Sequence, residues 1–140
     1  MLEIKDKFKT ENNLDRYFNK QNVCFIDIET TGLSSKFNSI YLIGIMYYNI
    51  EEKIWYLIQL FAESLDEEKE LLLSFRNLIS NFDEVVTYNG DTFDIPFINN
   101  RLNNYNNDHQ ISLENSFDLY KYIRENKNYL NLENLKLKTI

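Results

Sequence analysis

Residues 23–33 read V-C-F-I-D-I-E-T-T-G-L, and no other stretch constrains the chain so strongly. Its β-branched and aromatic positions suit a buried strand. Yet it carries Asp27 and Glu29 two positions apart, and a carboxylate isolated in an apolar core is costly. Side chains at i and i+2 of a strand point to one side, so the two acids project together, about 7 Å apart along the strand. Thr30-Thr31-Gly32 breaks the strand just beyond them, which places the pair near its exit. Two carboxylates on a rigid strand suit a hard divalent cation, Mg²⁺ or Mn²⁺, which takes oxygen ligands and neutralises both. Acids on an edge strand share this spacing; here the flanking Phe25, Ile26 and Ile28 argue for a central strand.

The remaining periodicity surrounds that strand with an α/β domain. Strand-like runs cover 23–29, 40–48 and 53–61, and the short 49–52 segment predicts an antiparallel hairpin between the last two. Ser64 and Glu67 fit a capping box opening a helix, with Leu72, Phe75, Ile79 and Phe82 on one face. V-V-T-Y at 85–88 reads as a buried strand, followed by an Asn89-Gly90 turn. Pro96 disfavours helical geometry at Ile95, so the next helix is predicted near Pro96, with Asp94 at its mouth. Residues 103–115 read as loop, and a last helix is expected from Ser116 or Phe117 to about Asn126, with Leu119 and Ile123 on one face. Residues 1–21 are expected to be a polar lead-in holding a short helix, and 22–140 the domain itself. The order β-β-β-α-β-α-α predicts a mixed sheet, an antiparallel hairpin beside parallel strands joined by a helical crossover.

Composition narrows the setting. With 140 residues, 44% hydrophobic and 15% aromatic, the chain has enough apolar surface for one core. The lone Cys24 excludes an intramolecular disulfide, and no apolar stretch reaches the length of a membrane span. The charged N-terminus lacks the apolar region of a signal peptide, so a cytoplasmic setting without membrane contact is expected. The net charge of −7 is the wrong sign for simple phosphate-backbone binding. Lys121, Arg124, Lys127, Lys136 and Lys138 nevertheless offer a local basic edge.

Asp94 supplies a third carboxylate. It follows a buried strand through a turn, so a neighbouring parallel strand would deliver it to the end of the sheet that Asp27 and Glu29 occupy, where α/β sheets place ligands. A helix N-cap or first-turn acid is the alternative reading of the same residue.

Together, F-I-D-I-E-T-T-G-L and T-Y-N-G-D-T-F-D-I-P-F-I-N-N-R resemble the first two motifs of the DEDD (DnaQ-like) 3′–5′ exonucleases, through Asp27, Glu29, Asn89, Phe93 and Asp94. I-Y-L-I-G-I, Q-L-F at 59–61 and D-L at 118–119 look most like the YprB-type ribonuclease H-like subgroup. Family B polymerase proofreading domains share the Asn/Phe-Asp/Pro pattern. The resemblance implies a ribonuclease H-like mixed five-stranded-type sheet with flanking helices. It also implies two-metal hydrolysis of phosphodiester bonds at the 3′ ends of single-stranded DNA or RNA. In that scheme Asp27 bridges two Mg²⁺ or Mn²⁺ ions, Glu29 binds one and orients water, and Asp94 holds the other. Thr30, Thr31 and Leu33 match positions that line the terminal nucleotide. Asn89 matches a sugar or phosphate contact, and Phe93 packs beneath the site.

The family's third motif, Y-x-x-x-D or H-x-x-x-x-D, is not found. His109 has Glu114 five residues on, and the pairs Tyr105/Asp108 and Tyr88/Asp91 have the wrong spacing. Since L-K-L-K-T-I ends the chain before that motif is due, the expectation is a C-terminally truncated domain, with Asp118 the alternative stand-in. A catalytically impaired nucleic-acid-binding or scaffold module, lacking the fourth acid, is the second reading.

Overall fold

The computed structural model describes residues 1–10, 22–105, 111–131 and 133–136. The acid-bearing run forms β2 (Val23–Thr30), with Cys24, Ile26 and Ile28 buried and the alternate positions on the opposite face. Next to it lie β3 (Ile40–Asn49) and β4 (Ile54–Phe61), both antiparallel to their neighbours. On the other side β5 (Glu84–Thr87) runs parallel to β2, in register from Val23↔Glu84 to Phe25↔Val86. β2 is thus central, as its flanking apolar residues demand.

Two strands extend this core beyond the expected sheet. Residues Leu2–Phe8 form β1, antiparallel to β4 from Leu2↔Phe61 to Phe8↔Trp55. A helical lead-in is the expectation for 1–21, but L-E-I-K-D-K-F alternates with period two and pairs along an otherwise open sheet edge; the remainder, 11–21, lies outside the described residues. Ser116–Asp118 form β6, parallel to β5. The last long helix therefore begins at Leu119 rather than at Ser116 or Phe117. Among the described residues the sheet has six strands, in the order β1-β4-β3-β2-β5-β6.

Four helices accompany it among the described residues: α1 (Glu68–Ile79), α2 (Asp94–Asn104), α3 (Leu119–Glu125) and α4 (Lys127–Leu130). No helix among them is long and apolar enough to cross a membrane. α1 follows a 3₁₀ turn, Leu65–Glu67, and Ser64 makes no side-chain cap. The predicted capping box is displaced by one residue, because the Glu67 carboxylate accepts from the Glu63 N–H at 3.2 Å. Leu72 and Phe75 are fully buried, and Ile79 and Phe82 pack against the same core, as the periodicity requires, although Phe82 lies past the helix end.

The two faces of the sheet differ. Ile26, Ile28, Ile43, Ile45, Ile58 and Leu60 pack with Leu71, Leu72 and Phe75 of α1 and Ile95, Ile98 and Leu102 of α2 in one apolar cluster. Burying side chains of this size stabilises by about 1.5–3 kcal/mol each relative to exposure. On the opposite face Trp55 is buried too, against Phe8, Phe25 and Tyr48 at ring separations of 6.3, 6.0 and 5.4 Å. Beyond these rings that face opens into a groove of about 420 Å³, lined by Asp27, Glu29, Leu42, Gly44, Leu57 and Gln59. The acids of β2 therefore share a face with this groove, away from the helix-covered core.

Candidate active site

Asp27 and Glu29 project from β2 into solvent, so the strand holds them without burying them. Asp27 pairs with Gly44 across the sheet, where the missing side chain leaves space beside the carboxylate. The strand keeps its apolar set on one face and its acids on the other by simple alternation.

Asp94 is brought up to Asp27 by a different route. After β5 the chain turns at Asn89, whose φ of 62° is left-handed, a conformation Asn tolerates well. Gly90 donates its N–H to Thr87 Oγ1 at 3.1 Å, and a Cβ there would lie 2.3 Å from the Thr87 side chain, so only glycine fits. Phe93 N–H to Asn89 O and Ile95 N–H to Gly90 O, at 3.1 and 2.8 Å, lead into α2. The helix starts at Asp94, two residues before Pro96. Proline is tolerated there because first-turn N–H groups have no partner within the helix.

Asp94 is 6% exposed, and its carboxyl accepts from its own N–H and from that of Ile28, the residue between Asp27 and Glu29. β5 no longer pairs with β2 at this point, the last pair being Phe25↔Val86. Burial above all, then the Asp27 charge and, more weakly, Asp118, push the Asp94 carboxyl up to about 7. Its hydrogen bonds oppose that rise without cancelling it. Desolvation next to a like charge is what an added cation relieves.

Asp118 is buried as well, but its oxygens are occupied. Oδ1 accepts from the backbone N–H of Asn89 at 2.8 Å and of Tyr120 at 2.9 Å, and Oδ2 from that of Asp91 at 3.2 Å. This carboxylate caps α3 and fastens the Asn89–Asp91 turn to β6, a structural task. Asp91 is drawn in beside it, accepting from the Ser116 hydroxyl and pairing with Lys121 Nζ at 3.0 Å.

The other sequence-predicted residues divide by place. The Thr30 hydroxyl donates to Gly32 O at 2.6 Å and Thr31 Oγ1 accepts from the Ser39 N–H at 3.0 Å, so both shape the loop after β2. Leu33 stands 87% exposed on that loop. Phe93 packs on Phe97, ring centroids 5.4 Å apart, against the core. His109 and Asp108 lie outside the described residues.

In chemistry the donors would suit a hard divalent ion: oxygen ligands only, two exposed and one buried, with Asp27 and Asp94 near enough to repel. Among the described residues, however, no three His, Cys, Asp or Glu side chains are gathered into a ready ligand cluster.

Sequence reading missed the neighbouring buried network. Glu68 is fully buried, accepting from Arg101 Nε at 3.0 Å and Nη2 at 2.5 Å, from the Tyr105 hydroxyl at 2.7 Å and from the Ile40 N–H at 2.6 Å. The available signal was position, since Glu68 precedes Leu72 and Phe75 by four and seven residues, on the apolar face of α1.

Residues 24–140 match the RNase H superfamily, and the chain belongs to that superfamily. Among solved structures it resembles E. coli Exonuclease I in complex with a dT13 oligonucleotide, with a TM-score of 0.64 and 12% identity over 84% of this chain and 34% of that one. The apo Exonuclease I structure is similar at a TM-score of 0.64 and 13% identity, over 84% of this chain and 35% of that one. The family B DNA polymerase of the hyperthermophilic archaeon Pyrobaculum calidifontis is similar over 62% of this chain and 11% of that one, at a TM-score of 0.50 and 17% identity. These likenesses concern the fold, and the chain spans about a third of Exonuclease I and a smaller part of the polymerase. No curated protein matches the chain.

Proposed function

We propose that this chain carries the core of a metal-dependent 3′–5′ exonuclease of the DEDD type, YprB-like in subgroup, acting on single-stranded DNA or RNA. The observation that carries the reading is the meeting of Asp94 with Asp27 at the open end of β2, in an RNase H superfamily fold. The dT13 oligonucleotide bound to Exonuclease I gives the substrate class its support.

Asp27, Glu29 and Asp94 would hold Mg²⁺ or Mn²⁺. When bound, such ions lower the pKa of water and supply positive charge to a phosphodiester. The rest falls to the chain itself. β2 fixes Asp27 and Glu29 on one face, and the Ile28 N–H supports the Asp94 carboxyl. The groove beside Leu42, Gly44 and Leu57 leaves that face open to a strand end. A cytoplasmic setting belongs to the same reading, with Cys24 buried and free.

A 5′-labelled oligonucleotide incubated with Mn²⁺ should shorten stepwise from its 3′ end, and Asp27→Ala should stop this. Internal cuts would reject the exonuclease assignment. Engagement of Asp118 with three backbone N–H groups favours a second reading, a nucleic-acid-binding module without turnover. Tight oligonucleotide binding with no products in either metal would select it.

A further inference from the structure

The loop joining β2 to β3 is fastened at both ends and from below. Thr31 N–H bonds to Ser39 O at 2.9 Å, and Asn38 N–H returns to Ser34 O at 2.8 Å. A Cβ on Gly32 would fall 2.5 Å from the Asn38 side chain, so the two limbs of the loop are in direct contact. Beneath them Arg101 Nη1 donates to Ser35 O at 3.1 Å while its other nitrogens grip Glu68. Asn100 Nδ2 donates to Ser35 Oγ at 2.9 Å, and Glu68 also accepts the N–H of Ile40, where the loop re-enters the sheet.

This frame holds Phe37 in water, 78% exposed. A loose loop would let such a ring fold back onto apolar surface, whereas this one is tied on several sides. Lys36 Nζ stands 5.3 Å from the Phe37 ring centroid. A flat aromatic face and an ammonium group are thus presented together, on the segment that continues directly from the acid-bearing strand. A base has a face to stack and a phosphate beside it, so single-stranded nucleic acid answers both features at once. A local cation also offsets the net charge of −7 that such a polyanion meets.

We propose that Phe37 and Lys36 form a nucleotide contact outside the acid site, the ring stacking on a base and the ammonium meeting an adjoining phosphate. The proposal rests on the nucleic-acid reading of the acids and extends it to a place that their chemistry does not require. Both side chains are exposed, so replacing them leaves the core intact.

The test uses the full chain and a fluorescent oligothymidine ending in phosphorothioate linkages, followed by anisotropy. Phe37→Ala should weaken binding roughly 5- to 150-fold, the range single stacked bases show. Lys36→Ala should weaken it less and flatten its salt dependence. Phe37→Trp should keep the affinity, and the new indole should be quenched when the oligonucleotide is added. Equal binding by wild type and Phe37→Ala, or an introduced indole that stays unquenched, would overturn the proposal and leave the ring to a protein partner. The acid-site reading would survive that result if Asp27→Ala still abolished 3′ shortening. Phe37-dependent binding without hydrolysis would support the contact while rejecting the exonuclease. A wild-type chain that binds no oligonucleotide would overturn both.

Discussion

Glu68 and Asp94 occupy equivalent places in two helices: each is the first residue of its helix, and each is buried, at 0% and 6% exposure. Their surroundings are opposite. Glu68 meets a guanidinium, a tyrosine hydroxyl and a backbone N–H, so its charge is balanced within the fold. Asp94 meets two backbone N–H groups and the charge of Asp27, which with burial lifts its carboxyl to about 7. Burial of a carboxylate therefore does not mark a site by itself. The informative quantity is whether the fold supplies the counter-charge, and at Asp94 it withholds it.

The largest way to break this contrast is to unbalance Glu68. Arg101→Ala should cost about 3–5 kcal/mol in urea unfolding, because it leaves a buried charge without its partner. Replacing Glu68 and Arg101 together by leucine should cost less than Arg101→Ala alone; an equal or larger loss would deny that balance is what matters.

A smaller effect comes from Asp94 in metal-free buffer. Its folded-state pKa is raised from 3.8 to about 7, so the folded chain holds this proton more tightly than the unfolded one. The resulting stability is fully present below about pH 4 and is lost as pH rises through about 7. Between pH 5 and pH 8 the loss should reach about 2–3 kcal/mol, at ~1.4 kcal/mol per pH unit over the part of that window below the folded pKa. Asp94→Asn should flatten this slope and unfold at higher urea than wild type at pH 8. A wild-type profile already flat over that window would place Asp94 in an ordinary environment.

The smallest change is expected from the exposed partner. Asp27→Ala should alter metal-free stability by no more than about 0.5 kcal/mol, as surface substitutions do. Mn²⁺ at about ten times its Kd should stabilise wild type by about 1.4 kcal/mol, and this gain should vanish in Asp27→Ala. A thermal shift of equal size in both proteins would show that the ion binds elsewhere.

Local pattern carried much of this into view beforehand. β2, β3, β4 and β5 and the core face of α1 were legible because alternation and helical spacing are local properties of the chain. The order of strands also foretold that Asp94 would arrive beside Asp27, since a parallel neighbour must end at the same edge. β1 and β6 were not legible for a common reason. L-E-I-K-D-K-F is exposed along its length, and S-F-D has only three residues, so only pairing partners distant in sequence make them strands. Asp118 looked like a spare ligand because sequence shows a carboxylate but not the three N–H groups that claim it. The Glu68–Arg101 pair was hidden in the same way, across 33 positions.

The strand order also dictates when the acids meet during folding. β2, β3 and β4 are neighbours in both sequence and space, so this meander closes short loops and is the natural early nucleus. The contact of β2 with β5 spans about sixty positions, as Val23↔Glu84 shows, and α2 can dock only after it. Asp27 and Glu29 are thus set in place early and harmlessly apart from other charge. The repulsive encounter of Asp27 with Asp94 is deferred to the last steps, when the apolar core that must bear it has already formed.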